Sequence, residues 1–318
     1  MKLGQLYAPR KAFGEALVEL GAVEQRLVVL DADVGTSTQT SLFRDAYPDR
    51  YYQVGIAEQN MISMAAGMAA VGLIPFCSTF AVFAARRALD QVALSVAYPR
   101  LNVKINGSYG GAPTGKAGAT HQAFEDLAVM RAIPNMTVLA PADAVETRLA
   151  VFAAVAHDGP VYLRTVRCDV PTIFDESHPF EIGKAYRLCE GDDIAIFSTE
   201  ITTAKALAAA DELAAEGIHA RVVHFPTLKP LDEVEVIAAS VDIGRIITVE
   251  DHNIIGGLGG AVAETLSEKA PCRLRRLGIR DCFGESGDYE AFFSKYGLNT
   301  ENLTACAREF VRQARASS

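Results

Sequence analysis

One carboxylate stands in this chain where it could do proton chemistry. Tyr51-Tyr-Gln-Val-Gly-Ile-Ala-Glu-Gln-Asn-Met61 reads as a short buried strand that ends at Gly55 and delivers Glu58 to the first turn of a helix built from small and apolar residues, Met61 to Ala70. An acid on the threshold of a close-packing apolar helix is poorly solvated, and poor solvation favours the neutral form. A neutral carboxyl can donate a hydrogen bond to a ring nitrogen. The plainer account is a first-turn glutamate that complements the helix dipole. Downstream, Ser78-Thr-Phe-Ala-Val-Phe83 places Phe80 and Phe83 three residues apart at a strand-to-helix corner, where both rings can face one slot. Either ring alone reads as core packing. His121, in Ala119-Thr-His-Gln122, has a side chain suited to proton traffic near neutral pH, or else is a helix-start residue satisfied by backbone.

The elements that must position these groups read as parallel α/β architecture, because short apolar runs alternate with helical patterns. Arg10 to Leu20 is an amphipathic helix, Leu27 to Leu30 a buried strand, and residues 31–38 the loop at its carboxyl end. Pro75 to Phe80 is a strand, followed by a helix to about Ala97. Asn102 to Asn106 is a strand running into a Gly-rich loop at 107–119, and a helix is predicted from His121 to Met130. Thr137 to Ala140 and Pro160 to Arg164 complete the first set of strands. The polar, proline-bearing stretch near 172–190 breaks the alternation. We divide the chain into a first unit at 1–175, a linker at 176–190 and a smaller α/β unit at 191–318. In the latter, strands are expected at 193–197, 220–224 and 245–249 and helices at 203–216 and 256–269. Ligands of open parallel sheets lie beyond the carboxyl ends of the strands. The loops at 31–38, 55–58, 107–121 and 164–169 fall there.

Half of the 318 residues are hydrophobic and 22% are charged, which suits a globular chain with an ample core. A formal charge of −9 argues against a nucleic-acid or acidic-membrane surface. The six cysteines are scattered, without a C-x-x-C pair or a Cys/His metal spacing, so no metal ligands are assigned to this chain. With no apolar signal core at the amino terminus and no long apolar run, a cytoplasmic location is expected. Two Gly-rich segments invite nucleotide readings and do not meet them. Gly110-Gly-Ala-Pro-Thr-Gly-Lys-Ala117 lacks the hydroxyl of a P-loop at Ala117, and Gly256-Gly-Leu-Gly-Gly260 lacks the last glycine of a dinucleotide turn. A tight turn that packs a helix closely on the sheet is the better account of the second.

Several blocks, taken in order, resemble the transketolases and the similar 1-deoxyxylulose-5-phosphate synthases. They are Gly55-Ile-Ala-Glu-Gln-Asn-Met61, Ser78-Thr-Phe-Ala-Val-Phe83, Ala119-Thr-His-Gln122, Arg131-Ala-Ile-Pro-Asn-Met136, Ala140-Pro-Ala-Asp143, Thr248-Val-Glu-Asp-His252, Gly256-Gly-Leu-Gly259 and Phe283-Gly-Glu-Ser-Gly287. The resemblance covers nearly the whole chain but only the second half of an ordinary transketolase. It implies the carboxyl-terminal subunit of a two-chain enzyme: a parallel-sheet pyrimidine-binding unit followed by a transketolase C-terminal unit. The cofactor implied is thiamine diphosphate. Its diphosphate and Mg2+ would lie mainly on an amino-terminal partner chain in an α2β2 assembly. The reaction implied is transfer of a two-carbon ketol unit from a ketose to an aldose. Glu58 matches the glutamate that hydrogen-bonds the aminopyrimidine and promotes its proton-abstracting tautomer. Phe80 and Phe83 match the aromatics of the pyrimidine pocket, and His121 matches a histidine near the reacting carbon. Asp33 lies on a loop that contacts cofactor or substrate in the family, with capping as the alternative. Arg10, Ser37 and Arg167 match positions that bind the phosphate of sugar phosphates, a role suited to guanidinium forks. A surface salt bridge is the ordinary role of a single arginine.

The departures from the family pattern gather on the substrate side. Ala117-Gly-Ala-Thr-His121 replaces Asp-Gly-Pro-Thr-His and so lacks the acid that contacts donor hydroxyls. A second histidine a dozen residues upstream is replaced near Tyr109, and a tyrosine after the phenylalanines is Arg86. These changes imply an anionic donor or acceptor unlike the usual pentose phosphates, with Arg86 or Lys116 available to meet its charge. The competing readings are a deoxyxylulose-phosphate-synthase-like activity, the beta chain of a 2-oxo-acid dehydrogenase, and a non-catalytic partner chain.

Overall fold

Seven strands form the first sheet, in the order Thr227–Lys229, Thr137–Leu139, Val161–Thr165, Lys104–Ser108, Ile74–Phe80, Leu27–Asp31, Tyr51–Gln53. The computed structural model describes residues 2–315. Every neighbouring pair in this sheet is parallel except Thr227–Lys229 against Thr137–Leu139. Leu27–Asp31, Lys104–Ser108 and Val161–Thr165 are buried at every position, as parallel strands covered by helices on both faces must be. The helix Glu58–Ala70 buries Met61, Ile62, Ala65 and Ala66 in one core with Val28, Leu30 and Ile105. Its small residues are what let it lie close against the strand ends.

The second sheet runs Arg273–Ile279, Arg245–Asn253, Ile194–Ser198, Ala220–His224, Tyr186–Cys189, with the last strand antiparallel. The two units are knitted together, because Thr227–Lys229 leaves the second half of the chain to form an edge of the first sheet. Charge knits them as well. The fully buried Arg164 lies 3.1 Å from Asp126 Oδ2, and its Nη1 donates to Glu200 Oε2 at 3.1 Å. Its Nη2 donates to the carbonyls of Ala123 and Asp251, each at 3.0 Å. One guanidinium therefore holds the loop that follows His121 and the second unit at once.

Both glycine-rich loops prove to be receptors for internal carboxylates. The Ala112 N–H donates to both oxygens of Asp251 at 3.1 and 3.0 Å, and a Cβ on Gly111 would overlap that carboxylate. The N–H groups of Leu258 and Gly259 donate to Glu250 at 2.7 and 2.8 Å, and a Cβ on Gly257 would overlap it in the same way. The anion expected at such amide-lined turns is supplied by neighbouring residues of one strand, Arg245–Asn253. Close packing alone, the sequence-based account of the second turn, is thus incomplete.

Three further expectations are corrected. The helix predicted from His121 starts only at Asp126, because Gly118 takes φ +73° and the loop is tied back by Gly111 N–H to Ala123 O at 3.0 Å. The helix predicted after Ala81 contains two π-helical segments, Phe83–Arg87 and Gln91–Ala97. Residues 31–38 are not all loop, since Gly35–Thr38 forms a helical turn. Several elements have no counterpart among the expected ones. They include the strand Arg273–Ile279 and the helices Ala144–Ala156, Glu233–Asp242 and Thr300–Arg315. The first of these helices is capped by Asp143, which accepts the Glu146 N–H at 2.8 Å and, through its other oxygen, the N–H groups of Ile173 and Phe174. One aspartate thus caps a helix and pins the segment at Ile173 and Phe174. No described helix is long and apolar enough to cross a membrane.

Candidate active site

The carboxyl ends of the central strands bring most of the expected residues to one place. Gly55 takes φ +70°, a conformation that favours glycine and turns the chain from Tyr51–Gln53 into the helix Glu58–Ala70. Glu58 is the first residue of that helix and only 1% exposed. It is not the lone acid anticipated. Arg87 Nη1 donates to both of its carboxylate oxygens at 2.9 Å, and the guanidinium carbon sits 4.1 Å from the centroid of the Phe83 ring. The Arg87 side chain is 45% exposed, so it closes the site from the solvent side. Sequence reasoning missed it. Arg86 and Arg87 are adjacent, and the π-helical winding of Phe83–Arg87 decides which of the two faces Glu58.

Around this pair lies a cluster of rings. Phe80 and Phe83 are stacked at 5.8 Å and 25°, and His121 stands edge-on to both at 6.0 and 5.4 Å. Tyr109 stacks on Phe80 at 4.3 Å and 21°. His121 shares a 2.8 Å hydrogen bond with Thr120 Oγ1 through Nδ1. An aromatic slot ending in a buried carboxylate fits an aminopyrimidine, which offers a flat ring and hydrogen-bonding nitrogens. The arrangement itself supports that fit. A planar nitrogen fork, the Arg87 guanidinium, already lies over Phe83 with its N–H on Glu58.

The arginines expected to hold an anion also converge. Arg10 donates from Nη1 to the Ser37 carbonyl at 2.8 Å and from Nε to the Arg167 carbonyl at 3.2 Å. Arg167 donates to the Thr114 carbonyl at 3.3 Å. Among the described residues these hydrogen bonds go to carbonyls, not to carboxylates, which leaves the charges available to a ligand. With Lys116, both line a cavity of ≈ 460 Å³, whose lining also carries the carboxylates of Asp169 and Asp288. Ser37 enters this group through its backbone.

Two residues stand apart. Arg86 pairs with Glu125 and lines a different cavity, of ≈ 160 Å³, beside Gln122. Asp33 is exposed and takes φ +63°, its N–H donating to Gln53 Oε1 at 2.9 Å. It caps no helix. The loop is held instead by buried Asp31, which accepts from Val34 N–H at 2.7 Å and from the Thr38 and Thr40 hydroxyls at 3.2 and 2.9 Å. Burial pushes the Asp31 carboxyl up from its ordinary range, although these donors oppose the shift. No periodicity marks Asp31 as the loop's organiser, because it is the last residue of an otherwise apolar strand.

A parallel sheet whose strand ends meet at a sealed glutamate and paired phenylalanines, joined to a second α/β unit, defines a transketolase architecture. Residues 6–172 match the family described as Transketolase, pyrimidine binding domain, and residues 183–303 match Transketolase, C-terminal domain. The chain belongs to the transketolase family. It is 45% identical over 304 residues to the 6-deoxy-6-sulfo-D-fructose transketolase subunit SqwH of Clostridium sp. (strain MSTE9), covering 96% of this chain and 94% of that one. It is 38% identical over 309 residues to one of the subunits of the apulose-4-phosphate transketolase of Phocaeicola vulgatus, covering 97% and 99%. A solved structure described as a split gene transketolase, inactive beta4 tetramer, superposes with a TM-score of 0.90 at 48% identity, covering 96% of this chain and 98% of that chain.

Proposed function

We propose that this chain is the C-terminal subunit of a two-chain, thiamine-diphosphate-dependent transketolase that moves a two-carbon ketol unit from an anionic ketose to an aldose. The observation that carries this reading is Glu58, sealed at the start of its helix beside the Phe80/Phe83 slot. End-to-end alignment with separate transketolase subunits supports the two-chain organisation. The named sugars of those relatives, one a sulfonate and one a phosphate, support an anionic substrate for the Arg10/Arg167 cavity. We divide the chain into a pyrimidine-binding unit at 1–175 and a C-terminal unit at 191–318.

Thiamine diphosphate, when bound, supplies carbanion-stabilising chemistry that side chains lack. The residues of this chain bind, orient and move protons. Phe80 and Phe83 would pack against the pyrimidine, and the Glu58 carboxyl would exchange a proton with its ring nitrogen. His121, with Nδ1 engaged by Thr120, would move protons at the substrate hydroxyls through Nε2. Arg10, Arg167 and the Ser37 segment would hold the anionic end of the sugar. Asp33 and Arg86 are assigned to the cofactor-side rim and to a substrate charge respectively. We assign Mg2+ and the diphosphate to the amino-terminal partner in an α2β2 assembly. The six free cysteines suit a cytoplasmic setting.

The test is a donor panel with the assembled enzyme. Ketol transfer from anionic ketoses is expected, and decarboxylation of pyruvate or a branched 2-oxo acid in its place would overturn the reading.

Arg87 gives a second expectation. Arg87 would have to release Glu58 for a pyrimidine to reach it, giving up a partly exposed ion pair and one cation–π contact, together worth about 1 kcal/mol. Arg87→Ala should therefore lower the cofactor concentration for half-saturation roughly fivefold in calorimetric titration of the assembled enzyme. A rise would mean that Arg87 helps to hold the cofactor.

A further inference from the structure

Tyr109 is a bulky residue held in an unusual backbone conformation beside the site. Its φ of +61° lies in the left-handed region, which a bulky residue occupies only when its surroundings compel it. Those surroundings are specific. The Tyr109 carbonyl accepts the Thr114 hydroxyl at 2.7 Å, and the carbonyl of Thr114 in turn accepts from Arg167. The ring is 8% exposed and lies flat on Phe80 at 4.3 Å. Arg10 and Arg167, which line the cavity, place their guanidinium carbons 5.7 and 5.3 Å from its centroid, and Arg10 Nη1 reaches the phenol oxygen at 3.5 Å. One ring thus joins the aromatic slot to both cations of the anion cavity.

We infer that Tyr109 is a specificity-determining residue, the ring behind the arginine pair that fixes it at a set distance from Phe80 and so makes the enzyme select ketoses by a terminal anionic group. A phenol ring engaged in this way offers its face to the guanidiniums and its hydroxyl to Arg10, so it has little left for substrate hydroxyls. Ala117 has no polar side chain to offer them either. Recognition of the donor shifts from its hydroxyls to its charged end. The inference rests on the reading of Arg10 and Arg167 as the anion site.

The experiment compares Tyr109→Ala and Tyr109→Phe in the assembled enzyme with two donors, fructose 6-phosphate and uncharged L-erythrulose. Tyr109→Ala removes two cation–π contacts, so the ratio of kcat/KM for the anionic over the uncharged donor should fall about tenfold, through KM and not kcat. Tyr109→Phe keeps the ring and should hold the ratio within about twofold. An equal fall for both donors, or a loss in Tyr109→Phe as large as in Tyr109→Ala, would overturn the inference. A separate arm titrates inorganic phosphate into the same proteins and follows the phosphorus resonance. Binding should weaken about tenfold in Tyr109→Ala, and unchanged binding would overturn the inference. If the unmodified enzyme transfers no ketol unit yet binds phosphate through Tyr109, the transketolase reading fails while the anion site stands.

Discussion

Glu58→Gln lowers ketol transfer by the assembled enzyme roughly a thousandfold while leaving assembly intact. A positioned proton-transfer group contributes about 10²–10⁴ in rate, and Glu58 is a carboxyl that the fold seals beside the Phe80/Phe83 pair. Glutamine preserves volume and keeps an oxygen that can accept from Arg87, but it has no acidic proton to exchange with a ring nitrogen. The change lies at the first position of the helix Glu58–Ala70, whose apolar core contacts are made by Met61, Ile62, Ala65 and Ala66, and glutamine fills the buried Glu58 position with nearly the same volume. The fold and the contacts between chains should therefore survive. Turnover and light scattering on the same sample separate the two effects. Activity within tenfold of the unmodified enzyme would remove Glu58 from the mechanism.

Arg164→Met should be the most destabilising single change in the described structure. It leaves Asp126, Glu200 and Asp251 buried around a neutral side chain, and breaking a buried ion pair from one side costs about 3–5 kcal/mol. Because Arg164 also holds Ala123 O and Asp251 O, the loss should appear in two ways, as a lower Tm and as easier proteolysis of the loop after His121. The pH dependence carries a distinct sign. Burial, with Asp251 and Asp126 adding to it, raises Glu200 from 4.5 to about 8 despite Arg164. Burial likewise raises Asp251 from 3.8 to about 6, again against the pull of Arg164. A raised folded-state pKa means that the native chain binds more protons than the unfolded one. The stability it confers is complete below pH 4.5 and is lost as pH rises through 8. Glu200→Gln should flatten the fall between pH 5 and 8 by up to about 1.4 kcal/mol per pH unit. Glu146 does not confuse this window. It is buried, yet His224 and the hydrogen bonds from His178, His224 and Ala142 hold it at about 2. Its contribution is lost only as pH falls below 4.5. A chemical-denaturation series with and without Glu200→Gln measures the difference, and identical slopes would contradict the buried-charge account.

Much of this arrangement is legible in the sequence, for identifiable reasons. Apolar runs such as Leu27–Val–Val–Leu30 mark fully buried parallel strands, and Gly55 followed by Glu58 marks a strand-to-helix turn. Phe80 and Phe83 announce their shared slot by spacing. What stays hidden depends on long-range partners. Gly111 and Gly257 look like nucleotide turns until Asp251 and Glu250 arrive from a strand more than a hundred residues beyond the first of them, or just before the second. Arg87 cannot be told from Arg86 without the π-helical turn. Thr227–Lys229 gives no sign that it will leave its own unit to pair with Thr137–Leu139. The helix expected at His121 fails because a loop tied to Gly111 and Arg164 overrides local propensity, and that tie leaves His121 free to face the phenylalanines.

The most direct test of the central claim is a complementation assay. This chain, its amino-terminal partner and an equimolar mixture are each given thiamine diphosphate, Mg2+, an anionic ketose and an aldose, and the two-carbon transfer product is followed. The mixture should turn over and neither chain alone should. Ketol transfer by this chain alone, or none by a mixture that has assembled, would contradict a site completed only between two subunits.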